Sequence, residues 1–94
     1  MASETLLDDR MLLDEISFVE LVVHRVRPPV KGSPHPFKYR LAYIENGRCV
    51  IRYDNEAGKG DHRHIGRKEE PYRFSDQDQL AVDFWMDVDE WRRK

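Results

Sequence analysis

Apolar and polar positions alternate most regularly over residues 37–54. Phe37, Tyr39, Leu41 and Tyr43 fall on one side of an extended chain, and Lys38, Arg40, Ala42 and Ile44 on the other. Cys49, Ile51 and Tyr53 alternate in the same way with Arg48, Val50, Arg52 and Asp54, which predicts a hairpin turning through Glu45-Asn46-Gly47. A two-residue Asn-Gly turn would set Tyr43 opposite Val50 and Leu41 opposite Arg52, mixing the two faces. A three-residue loop with Gly47 in the left-handed region sets Tyr43 opposite Cys49, Leu41 opposite Ile51 and Tyr39 opposite Tyr53, leaving one face wholly apolar. The pattern favours the second register, with Cys49 as a small core residue. Lys38 then faces Asp54, and Arg40 faces Arg52. Two opposed arginines need an anion between them, either a phosphate or an internal acid such as Glu20.

Elsewhere the pattern is less regular. Residues 1–9 read as a flexible N-terminus preceding a single domain over 10–94. Met11–Leu13 and Ile16–Val26 read as strands, with Asp14–Glu15 turning the chain between them. Pro28–Pro29 ends the longer run, because proline cannot donate to a ladder. The segment PPVKGSPHP follows as a surface loop, in which His35 has no evident partner. Residues 55–74 are polar and carry three glycines, so they read as a long loop, with Pro71–Phe74 a short edge strand. Ser75 caps a helix whose apolar positions Leu80, Phe84, Val88 and Trp91 recur at helical spacing, widened by Ala81 and Trp85. The expected fold is α+β: an antiparallel sheet of about four strands with a C-terminal helix packed on one face.

Composition narrows the function classes. One cysteine in 94 residues excludes an internal disulfide and any multi-cysteine zinc site. No apolar run is long enough to span a bilayer, and the N-terminus lacks the basic start and apolar core of a secretory signal, so a cytoplasmic protein is expected. The net charge of -2 hides an uneven distribution. Residues 16–74 carry twelve bases against seven acids, while both flanking segments are acidic. A basic middle suits a polyanion-binding face, although ordinary surface mixing produces the same numbers in so small a chain.

The segment around Asp54-Asn55-Glu56-Ala57-Gly58-Lys59-Gly60-Asp61-His62-Arg63-His64 concentrates the candidate chemistry. Histidines at i and i+2 of an extended stretch point the same way. They can act as general acid and base in RNA cleavage without a metal or other cofactor. Asp54 joins them as a candidate catalytic residue. Arg40, Arg52, Lys59 and Arg63 are candidate phosphate or RNA ligands, and Asn55 and Asp61 candidate orienting residues. A divalent metal held by His62, His64 and Asp54 or Asp61 is an open alternative. Gly58-Lys59-Gly60 is no phosphate loop, because GxxxxGK[ST] is missing.

The stretch FKYRLAYIENGRCVIRYDNEAGKGDHRHIGRKEEPYRF, followed by an acidic, aromatic C-terminal helix, resembles the TumE-like toxins of prokaryotic toxin–antitoxin systems. Tyr-Arg at 39–40, Arg-Tyr-Asp-Asn at 52–55 and Asp-His-Arg-His at 61–64 carry the resemblance. It implies a small toxin whose partner is a cognate antitoxin protein. Many toxins of such systems cut RNA, so the resemblance makes RNA binding and endoribonuclease activity the natural expectation. It assigns no catalytic residue. The alternative is a non-catalytic interaction module whose basic face binds an acidic protein partner. Unpaired edge strands would also permit a homodimer.

Overall fold

The computed structural model describes residues 2–94. Six strands form one antiparallel sheet in chain order: β1 (Ala2–Leu12), β2 (Ser17–Arg27), β3 (Phe37–Glu45), β4 (Arg48–Glu56), β5 (Gly60–Ile65) and β6 (Lys68–Pro71). A single helix, α1 (Gln77–Arg92), follows. The α+β class, the antiparallel sheet and the C-terminal helix agree with the sequence pattern, but the sheet has six strands where about four were expected. No helix among the described residues is long and apolar enough to cross a membrane.

The additional strands, β5 and β6, come from one polar segment, and β1 starts earlier than the strand expected at Met11–Leu13. Residues 2–9, expected to be flexible, lie within β1 and pair with β2, with a register shift between Thr5 and Leu7. Met1 lies outside the described residues. The expected loop at 55–74 is largely a hairpin. Glu56 pairs with Gly60 around a turn of Ala57, Gly58 and Lys59, and Ile65 pairs with Lys68 across Gly66-Arg67. Gly66 has a φ of 61°, which favours glycine at the first central position of so tight a turn. Apolar alternation is not what holds β5 and β6 together. Beside the backbone ladder, cross-strand polar contacts join them: Arg63 with Glu70 at 2.6 Å and His64 with Glu69 at 2.7 Å. The short edge strand is therefore Lys68–Pro71, a few residues before the expected Pro71–Phe74.

The β3–β4 hairpin corrects the expected register. Glu45 pairs with Arg48, so the turn is the two-residue Asn46-Gly47, with φ of 52° and 74°. The ladder then shifts: Ile44 pairs with Cys49 and Tyr43 with Ile51, leaving Val50 as an extra residue. This bulge satisfies both signals. The Asn-Gly pair keeps its favoured turn, and the apolar face stays whole with new partners, Tyr43 opposite Ile51 and Leu41 opposite Tyr53. Three expectations fall with the old register. Arg40 lies opposite Asp54 and not Arg52, Lys38 is not the partner of Asp54, and Cys49 is exposed and not in the core.

One face of the sheet carries the core. Val19, Leu21 and Val23 of β2, Tyr39, Leu41 and Tyr43 of β3, and Ile51 and Tyr53 of β4 are buried against Leu80, Phe84 and Val88 of α1. The helix presents them at i, i+4 and i+8, one stripe along its length. Trp85 and Trp91 are partly buried and flank that stripe. Asp76, one residue later than expected, caps the helix by accepting from the Gln79 N–H at 2.8 Å.

Polar bonds fix the helix at several points along its length. Tyr53 donates to Asp87, Tyr72 to Asp83 at 2.6 Å, and Arg92 to Asp14 at 2.9 Å. The second face of the sheet, away from α1, is thereby left open.

Candidate functional site

Pairing between β3, β4 and β5 sets the open face in rungs. One rung runs through Arg40, Asp54 and His62, and the next through Ala42, Arg52 and His64. Alternation along each strand therefore gathers Arg40, Arg52, Asp54, His62 and His64 on a single face. Beside them a depression of about 430 Å³ is lined by Val22, His24, Lys38, Arg40, Arg52, Asp54 and Glu56 among others.

Asp54 sits at the centre of this block. Its Oδ2 is 3.2 Å from Arg52 Nε and its Oδ1 is 3.1 Å from His62 Nε2. Both contacts are close yet poorly aligned, because Arg52 Nε and Asp54 Oδ1 are buried and have no hydrogen-bond partner. The carboxylate thus interacts by charge more than by directed bonds. Arg40 is 3.6 Å from Glu20, the internal acid suggested by the sequence.

The two histidines are held differently. His62 Nδ1 is 3.1 Å from the Gly60 carbonyl, which fixes the proton on Nδ1 and turns Nε2 toward Asp54. His64 Nε2 lies 2.9 Å from Arg52 Nη2 and 2.7 Å from Glu69 Oε2. It accepts from the arginine when it carries no proton and donates to the carboxylate when it does. The ring centroids are 5.4 Å apart. Arrays of this kind can take a proton at one nitrogen and release one at the other.

The remaining sequence candidates lie elsewhere. Arg63 projects to the helix face, where it bonds Tyr53, Glu70 and Asp87. The bond to Tyr53 leads in raising its pKa further, and burial with the Asp87 bond pushes the Tyr53 phenol up in turn. Arg63 is committed to docking the helix and takes no part in the open face. Asn55 is buried on the helix side. Its Oδ1 accepts from the Tyr39 N–H at 3.1 Å and its Nδ2 donates to the Phe37 carbonyl at 2.7 Å, so it clamps β3 to β4. Asp61 also points away from the histidines. It receives the Tyr39 hydroxyl at 2.6 Å and His35 Nε2 at 2.8 Å. Lys59 is exposed in the β4–β5 turn, 3.6 Å from Glu56.

Sequence reasoning missed three participants. Glu69 and His24 border the open-face block beside Lys38, which the sequence already set near Asp54, and only the strand register reveals the proximity of the first two. The third, His35, has partners after all. It stacks on Phe74 with centroids 4.0 Å apart and bonds Asp61, tying the proline-rich loop to β5.

Comparison with known proteins adds one match. The family described as Toxin TumE matches residues 3–92, nearly the whole chain. No curated protein matches, and no solved structure does.

Proposed function

The chain belongs to the TumE toxin family, and on that premise we propose that it is the toxin of a toxin–antitoxin pair and acts on RNA at the open face of its sheet. The family implies an antitoxin partner. The observation that carries the RNA reading is the block of Arg52, Asp54, His62 and His64, in which two imidazoles sit beside arginines on one accessible face.

The chemistry follows from the partners of each ring. His64, unprotonated and released as Arg52 turns to the phosphate, takes the proton of a ribose 2′-hydroxyl at Nε2. The 2′-oxygen attacks the adjacent phosphorus, and the bond to the 5′-oxygen breaks. His62, protonated and paired with Asp54, gives its proton to that leaving oxygen. The products are a 2′,3′-cyclic phosphate and a free 5′-hydroxyl. Arg52 and Arg40 neutralise the charge that builds on the phosphoryl oxygens, and Lys59 at the turn holds a neighbouring phosphate. No step requires a metal ion.

The alternative, a face that only binds an acidic chain, rests on the same basic depression. Analysis of product ends separates the two. Incubating RNA with the purified chain yields cyclic phosphate ends in the first case and intact RNA in the second.

A further inference from the structure

Asp54 Oδ1 is buried among side chains and aligned with none of them, on a carboxylate whose side chain is only 9% exposed. His62 Nε2 lies 3.1 Å from that oxygen, and one ligand atom from each of Asp54, His62 and His64 falls within 4.8 Å of the others. We propose that Asp54, His62 and His64 form a three-ligand site for a divalent transition-metal ion of the zinc type.

The donor set suits such an ion. Two imidazoles and one carboxylate are its common partners, and a fourth position facing the open side remains for water. The bond from His62 Nδ1 to the Gly60 carbonyl is the outer contact that a metal-ligating histidine characteristically makes, because it fixes the ring and leaves Nε2 to bind. A tetrahedral ion with bonds of about 2.1 Å holds its ligands roughly 3.4 Å apart. The cluster therefore closes by at most roughly 1.4 Å, within reach of small side-chain rotations.

Arg52 is the competitor. Its guanidinium lies against both Asp54 and His64 and supplies positive charge where the ion would. Its Nε makes no aligned bond, and the side chain borders the open depression into which it can withdraw. Ion binding thus exchanges one cation for another at the carboxylate. It also engages the His62 nitrogen that faces Asp54, so the ion and the two-histidine proton transfer exclude each other. The site itself does not rest on the RNA reading.

Calorimetric titration of the untagged full chain with zinc chloride tests this, with cobalt absorption reporting the ligand field. The expected result is one ion per chain, weakened at least about tenfold by His64→Ala or Asp54→Asn and tightened by Arg52→Ala. Cys49→Ser, which removes the exposed thiol, leaves uptake unchanged. His62→Ala is a further arm where circular dichroism shows the variant folded. His64, the more exposed of the two histidines, decides the matter where it does not. Absence of saturable uptake overturns the proposal, as does uptake that His64→Ala leaves intact. Zinc uptake without RNA cleavage would leave the ion site standing and remove the RNA reading. Cleavage without zinc uptake would do the reverse.

Discussion

Arg52 lies directly across from His64 between β4 and β5, with Nη2 2.9 Å from the imidazole Nε2. That nitrogen also lies 2.7 Å from Glu69 Oε2. It therefore chooses between a donor and an acceptor according to whether it carries a proton. Replacing Glu69 by Gln removes the charged acceptor and leaves Arg52 as the preferred partner. Glu69→Gln is expected to keep RNA binding and alter the cleavage rate. A gel-shift assay beside single-turnover cleavage reads the two effects separately.

Arg40 and Arg63 should behave oppositely although both were candidate phosphate ligands. Arg40 reaches the open face, whereas Arg63 is bound to Tyr53, Glu70 and Asp87. Arg40→Ala is expected to weaken RNA binding and flatten its salt dependence by about 0.7 in the log–log slope, the value for one single-strand phosphate contact. Arg63→Ala should leave that slope unchanged and lower the urea midpoint. Binding titrations at several salt concentrations check both.

Asn55 is a structural clamp and not a catalytic aid. Asn55→Ala leaves the Tyr39 N–H and the Phe37 carbonyl without their partner in a buried place. The expected cost is roughly 2–6 kcal/mol, from about 1–3 kcal/mol for each of the two unsatisfied groups. Urea denaturation measures it. Phe84→Ala, which empties the centre of the helix stripe, should cost about 3–5 kcal/mol in the same assay.

Acid should loosen the far end of the helix. The Ser17 hydroxyl, the Ile16 N–H and the Arg92 guanidinium together hold the Asp14 carboxyl down at about 2, below its ordinary value of 3.8. A depressed folded-state value means that the stabilisation is complete above about pH 4 and is lost as pH falls through 2. Asp14→Asn should therefore be less stable than the parent at neutral pH, with the difference closing between pH 4 and 2. Thermal melts across that range, with the carboxyl carbon shift of Asp14 followed by NMR, give the test.

Much of this architecture was legible in the sequence where apolar alternation drives it. Tyr39, Leu41, Tyr43, Ile51 and Tyr53 declared one face, and Leu80, Phe84 and Val88 the stripe that covers it. The β3–β4 register was misread because alternation assumes an unbroken ladder. The bulge at Val50 lets an Asn-Gly turn coexist with matched faces. β5 and β6 were hidden because polar side chains meet across them, and such contacts are invisible until the register is known. The same limit applies to the candidate site. The i, i+2 histidines were visible, and Asp54 was visible beside them. The separation of Arg63 and Asp61 to the helix face required knowing that 60–65 is a strand, and that of Asn55 required knowing that β4 continues to Glu56.

The most direct measurement is single-turnover cleavage of a defined RNA by the native chain, His62→Ala, His64→Ala and Arg63→Ala, each with and without chelator. The open-face account predicts cyclic phosphate ends from the native chain and from Arg63→Ala. It predicts that chelator preserves cleavage and that each histidine variant loses at least about a hundredfold in rate. Cleavage that survives both histidine substitutions, or intact RNA with a folded native chain, would contradict it.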